Sequence, residues 1–202
     1  LSSALNVVLV PMFAYLLDDC ISLLQEPMSI LMVKGTNEVH EFQHTKEICS
    51  EAVVHCIHAL GQCFEYNEIK FVTKERFESL VGPLVSCLGF CDESYVEYDP
   101  VVTALVYCLG QLAVTTHNQL IWKPLQNQVL MQTRSDEPKI RYSALLVVQE
   151  FYNQLGEEFL PMLPESIPFI AELIEDPDEN VERLCQELIA QVDEFLGDER
   201  IE

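Results

Sequence analysis

A turn made of acids and proline recurs 41 residues apart in this chain, each time just ahead of an amphipathic stretch. Ile140 and Ala144 match Val181 and Cys185 at that spacing, with Asp136-Glu137-Pro138 before the first pair and Asp176-Pro177-Asp178 before the second. A looser copy, Asp99-Pro100-Val101-Val102-Thr103-Ala104, ends 40 residues before Ala144. A period of this length sharply limits what the chain can fold into. One helix pair cannot bury its own apolar stripe, whereas a row of stacked pairs buries a continuous core.

The stretches after these turns read as helices. Val181, Leu184, Cys185, Leu188, Ile189, Val192, Phe195 and Leu196 fall on one face of a 3.6-residue period. The Asp-Pro-Asp turn supplies an N-cap and a first-turn proline, and Gly197 is the expected C-cap. Residues 137–155 have the same design, with Ile140, Ala144, Val148, Phe151 and Leu155 as the stripe and Gly156 as the stop. Between them, Pro161, Pro164 and Pro168 predict a kink or two short helices over 157–175. Upstream, helices are expected over about 11–25, 44–66, 74–90, 95–116 and 118–133. Residues 26–43, with Pro27, Gly35, Thr36 and Asn37, read as a long mobile loop.

An Asp/Pro turn followed by Val or Ile, then Arg or Glu, then a small residue resembles the HEAT pattern, whose repeats run about 40–47 residues. The expected fold is all-α: a single α-solenoid over 1–202 of about four stacked HEAT-type antiparallel helix pairs. Because the chain opens at Leu1 rather than Met, it reads as a fragment of a larger protein.

Charge narrows the choice of partners. The chain carries 33 acids against 11 bases, a formal net charge of -22. Nucleic-acid binding depends on Lys and Arg replacing phosphate counterions, so direct contact with RNA or DNA is not expected. Residues 151–202 hold 15 of the acids and only two bases, Arg183 and Arg200. That density suits either a well-solvated face or a docking surface for a basic partner. Glu172, Glu175, Asp176, Asp178, Glu179 and Glu182 form the candidate docking surface. Trp122, the only tryptophan, is a second candidate anchor, with wedging between repeats as the alternative. The longest apolar runs are too short to span a bilayer, so no membrane contact is expected.

Few residues suggest chemistry. His40-Glu41-Phe42-Gln43-His44 matches the H-E-x-x-H pattern of zinc hydrolases, in which two histidines one helical turn apart hold the metal. The segment falls at an expected loop-to-helix junction, and no third ligand is evident, Glu65 and Glu68 being the nearest candidates, so a zinc hydrolase is the minor alternative. Cys49, Cys56 and Cys63 recur every seven residues, about 10.5 Å of helix per step, and cannot converge on one ion. They read as core thiols. Neither a catalytic site, a metal nor a cofactor is expected.

Three segments carry a more specific resemblance: HALGQCFEYNEIKFVTKERFESLVGPLVSCL at 58–88, IWKPLQNQVLMQTRSDEPKIRYSAL at 121–145, and LGEEFLPMLPESIPFIAELIEDPDENVERLCQELIAQVDEFLG at 155–197. They resemble the C-terminal region of the U3 small nucleolar RNA-associated protein 10 family, also called HEAT repeat-containing protein 1. The resemblance implies a scaffold of the nucleolar small-subunit processome that acts in pre-ribosomal RNA processing. It implies partners among the protein subunits of a pre-ribosomal particle, residence in the nucleus and nucleolus, and no catalytic residues. A HEAT adaptor for basic peptides in transport or signalling is the alternative.

Overall fold

The polar residues ahead of each helix start it. Asp99 accepts hydrogen bonds from the backbone N–H of Val101 (2.8 Å) and Val102 (3.4 Å). Pro100 fills the next position, where its missing N–H has no helical partner to lose. Asp178 accepts in the same way from Asn180 (3.0 Å) and Val181 (3.2 Å). Thr73 and Asn118 cap two further helices through Arg76 N and Leu120 N. Glu137 makes no such bond, so Pro138 alone pre-sets that helix.

The computed structural model of the chain describes residues 15–32, 39–66, 71–90 and 99–198, with 26–32, 39–50, 90 and 198 described by backbone alone. The helices are α1 (Leu17–Met32), α2 (Val39–Glu65), α3 (Lys74–Ser86), α4 (Pro100–Thr116), α5 (Gln119–Gln132), α6 (Pro138–Leu155), α7 (Leu163–Leu173) and α8 (Glu179–Asp198). Short 3-10 turns follow α3 (Cys87–Phe90) and precede α7 (Gly156–Met162). No strand occurs among the described residues.

Each odd helix packs on the even helix that follows it, giving four pairs, and the pairs stack in two layers. One layer is α1, α3, α5 and α7; the other is α2, α4, α6 and α8. The even layer makes the more extensive contacts, α2 on α4 above all. Gly61 explains how closely those two helices approach: a Cβ there would sit 2.5 Å from the Tyr107 ring and 3.3 Å from the Cys108 backbone. This stacking is the α-solenoid that the 41-residue period predicts.

The stripes face the core as their spacing requires. Val181, Leu184, Cys185, Leu188 and Val192 are buried on α8, and Ala144, Val148 and Phe151 on α6. The segment 157–175 is indeed split, with the 3-10 turn driving Phe159 into an aromatic cluster. Its ring lies 5.7 Å from Trp122, 5.4 Å from Phe151 and 5.1 Å from Tyr152, centroid to centroid.

Proline distribution follows the layers. Every odd helix carries an internal proline: Pro27, Pro83, Pro124 and Pro168. In the even layer proline appears only at a first position, Pro100 and Pro138. Pro124 and Pro168 are exposed, on the solvent side of their helices.

Two expectations need correction. The loop placed at 26–43 is helical at both ends, since α1 runs on to Met32 and α2 starts at Val39; residues 33–38 lie outside the described ones. Met28-Ser29-Ile30-Leu31-Met32 contains good helix formers, and a single proline ahead of it kinks a helix without necessarily ending it. Gly197 does not cap α8, because the helix continues through it to Asp198. Gly156 does stop α6, at φ 53°, in the left-handed region that favours glycine.

Candidate protein-docking surface

The acidic turn between α7 and α8 divides into residues that hold the stack together and residues that face outward. Asp176 is on the inside. Its carboxylate takes both ends of the Arg141 guanidinium, at 2.7 and 2.8 Å, and the pair is almost wholly buried. Arg141 also donates to the carbonyl oxygens of Ser135 (3.0 Å) and Asp136 (3.1 Å). One arginine thus joins the turn before α6 to the turn before α8. Burial pushes the Asp176 carboxyl upward, but the hydrogen bonds from Arg141 and from the Asp178 N–H prevail and hold it below its ordinary range.

Two more ion pairs join α5 and the turn after it to α7. Arg134 donates to Glu172 through Nε (2.8 Å) and Nη2 (2.6 Å), and its guanidinium lies 4.2 Å from the centre of the Phe169 ring. The hydrogen bond from Arg134 keeps the Glu172 carboxyl below its usual range. Lys123 pairs with Glu165 in the same way. Glu165, Glu172 and Asp176 therefore spend their charge on bases of this chain.

Further acids lie on α8 and just ahead of it. Glu175 and Glu179 are exposed, Asp178 and Glu182 half-buried, and Asp178 already caps the helix. Glu187, Asp193 and Glu194 complete the same outward face, and all three are exposed. These three were missed in the sequence although the signal was there: they occupy the positions opposite the apolar stripe. Arg183 lies 4.0 Å from Glu187 on this face.

Trp122 and Asp176 do not belong on a docking surface. Trp122 is 3% exposed and donates its indole N–H to the Ala113 carbonyl at 2.8 Å, packed edge-on against Phe159. It wedges between helix pairs, filling space that a smaller residue would leave empty. Asp176 is withdrawn by its arginine.

Comparison with known proteins supports one affiliation. No family model matches the chain. Human HEAT repeat-containing protein 1 is 36% identical over 157 residues, 77% of this chain. The Dictyostelium discoideum homolog of HEAT repeat-containing protein 1 is 38% identical over 144 residues, 71% of the chain. The chain belongs to the HEAT repeat-containing protein 1 family. The Schizosaccharomyces pombe protein named U3 small nucleolar RNA-associated protein 10 is 29% identical over 189 residues, 92% of the chain. The chain spans a small part of these relatives: 7% of the human protein, 6% of the Dictyostelium one and 10% of the Schizosaccharomyces one.

Within this family member, the H-E-x-x-H segment forms the first turn of α2, which begins at Val39, as the expected position at a helix start has it. The side chains of His40, Glu41 and His44 are outside the described residues, as is Glu68. Glu65 is no third ligand for them. It stands 21 residues beyond His44 on the same helix, about 30 Å away, and accepts the Tyr107 hydroxyl at 2.7 Å. Among the described residues no group of three or more His, Cys, Asp and Glu side chains could hold a metal ion. Nor is any described helix long and apolar enough to cross a membrane.

Proposed function

We propose that this segment is a non-catalytic docking module of a ribosome-assembly scaffold, and that it engages protein subunits of the nucleolar small-subunit processome through α8. The observation that carries this reading is the division of the acidic residues. Lys123, Arg134 and Arg141 neutralise the acids facing the stack, while Glu175, Glu179, Glu187, Asp193 and Glu194 remain outward. The name of the Schizosaccharomyces relative, U3 small nucleolar RNA-associated protein 10, supports placing the whole protein beside a nucleolar ribonucleoprotein.

With a net charge of -22, the segment would repel an RNA backbone, so its partner is a protein with a basic surface. Attraction between exposed charges fades over about 8 Å at physiological ionic strength, which makes the docking salt-sensitive. The test is to reverse Glu175, Glu179, Glu187 and Asp193 to lysine in the full-length tagged protein. Loss of co-purifying processome proteins and of nucleolar residence, with the folded state intact by circular dichroism, supports the reading. If the charge-reversed protein recovers the same proteins and stays in the nucleolus, α8 is only solvated. Residence at cytosolic membranes or nuclear pores would favour an adaptor for basic peptides.

A further inference from the structure

Six described cysteines carry free thiols, and five of them (Cys56, Cys63, Cys87, Cys108 and Cys185) are buried. Only Cys20, on α1, is partly open to solvent. It faces Cys56 on α2, 36 residues along the chain. The Cys56 sulfur lies 3.9 Å from the Cys20 carbonyl oxygen, which brings the two cysteines into contact across the helix pair. The two thiols thus meet across a helix pair, one accessible and one enclosed.

Their chemistry differs accordingly. The hydrogen bond from Cys56 favours the Cys20 thiolate and lowers its pKa, against partial burial and the carboxylate of Asp19. Donating that bond, together with burial, keeps Cys56 protonated. Burial pushes Cys63 and Cys87 up to about 12 and Cys185 to about 11. An accessible thiol with a lowered pKa next to a second thiol is the arrangement in which oxidation is both selective and reversible.

We propose that Cys20 and Cys56 form a dithiol that a hydroperoxide converts to a disulfide joining α1 to α2. With hydrogen peroxide, the Cys20 thiolate attacks one peroxide oxygen. An S–O bond forms, the O–O bond breaks, and the departing hydroxide takes up a proton to leave as water. Cys56 then gives up its proton and attacks the Cys20 sulfur of the sulfenic acid. The S–S bond forms, the S–O bond breaks, and hydroxide leaves with that proton as a second water. Two thiols lose two electrons in all, and the peroxide is reduced to two waters. A thiol reductant reverses the change.

The bond would pin α1, against which the buried Cys87 also packs, its Sγ 3.9 Å from the Leu24 carbonyl oxygen. Oxidation therefore staples the first helix pair and leaves the other three pairs as they are.

The test treats the reduced chain with stoichiometric hydrogen peroxide, blocks remaining thiols with iodoacetamide and maps unreduced peptides by mass spectrometry. Before oxidation, Cys20 should alkylate roughly tenfold faster than any of the five buried thiols. After oxidation, a Cys20–Cys56 linked peptide pair lighter by two hydrogens should dominate, and dithiothreitol should remove it. In Cys56→Ser, Cys20 should instead accumulate as a sulfenic acid that dimedone traps, which reports on Cys20 whether or not the disulfide can form. Linkage of Cys20 to Cys49 or Cys63, dimedone trapping in the unsubstituted chain equal to that in Cys56→Ser, or a Cys20 that stays reduced would each overturn the proposal.

Discussion

Arg141 on α6 grips Asp176, 35 residues further on, with both ends of its guanidinium: Nε to Oδ2 at 2.8 Å and Nη2 to Oδ1 at 2.7 Å. Cutting that grip from one side leaves an uncompensated buried charge. Arg141→Leu should cost about 3–5 kcal/mol of unfolding free energy, and Asp176→Leu a similar amount. The double variant Arg141→Leu/Asp176→Leu should lose far less than the sum, because no charge is stranded. Urea denaturation of the four proteins closes the cycle, and additive losses would show that the pair is not coupled.

The same pair fixes how stability responds to acid. An aspartate ordinarily titrates near 3.8, and in the folded chain Asp176 titrates lower. The unfolded chain therefore binds the proton first. The stability that Asp176 supplies is complete above its ordinary range and fades as pH falls through the lowered value. Relief of acid–acid repulsion runs the other way below pH about 4, so the difference between the parent and Asp176→Asn isolates the residue. That difference should shrink steadily on acidification in urea titrations run pH by pH. A constant difference would mean Asp176 is not held below its ordinary range.

Trp122 should behave as a core residue. Trp122→Ala should destabilise by about 3–5 kcal/mol, the range for emptying an aromatic core site, and it leaves the Ala113 carbonyl with the Thr116 hydroxyl, at 3.0 Å, as its side-chain donor. As the only tryptophan, Trp122 makes fluorescence a direct monitor of the junction around Phe159. Emission should be blue-shifted in the folded chain and move red in a single step with urea. Red emission from the native chain would place the indole in solvent.

Two helix glycines should respond in opposite directions to the same substitution. Gly61→Ala puts a methyl 2.5 Å from the Tyr107 ring, which is held by its hydroxyl bond to Glu65. The cost should be about 1–3 kcal/mol, as for other overpacked sites. Gly82 on α3 has open space around it, with nothing within 4 Å of where a methyl group would sit. Gly82→Ala should therefore gain about 0.5–1 kcal/mol by removing glycine's entropy from a helix interior. Thermal melts of both variants against the parent provide the check.

The period and the stripes made much of this legible in the sequence. Ala144, Val148, Val181 and Cys185 are buried because a 3.6-residue repeat leaves them no other face, and each acid–proline turn marked a helix start. The candidate docking surface was less legible. Asp176 and Glu179 look alike in sequence, three residues apart and both acidic. What separates them is Arg141, which reaches one from 35 positions away, and no local pattern announces that reach. Trp122 was ambiguous for a similar reason: its indole partner, the Ala113 carbonyl, belongs to another helix. The end of α1 was missed because Pro27 looked like a terminator, when odd-layer helices accept an internal proline as a rule.

That rule also bears on how the molecule deforms. A proline withdraws one amide hydrogen from the helical ladder and pushes the chain away from the carbonyl four residues back. Pro27, Pro83, Pro124 and Pro168 place that weakness once per pair, always in the same layer. The even helices keep unbroken ladders and behave as stiff struts. A pull by neighbours should therefore change the array's curvature first at these four softened points while the opposite layer holds its length, as in a hinged rule with one rigid edge.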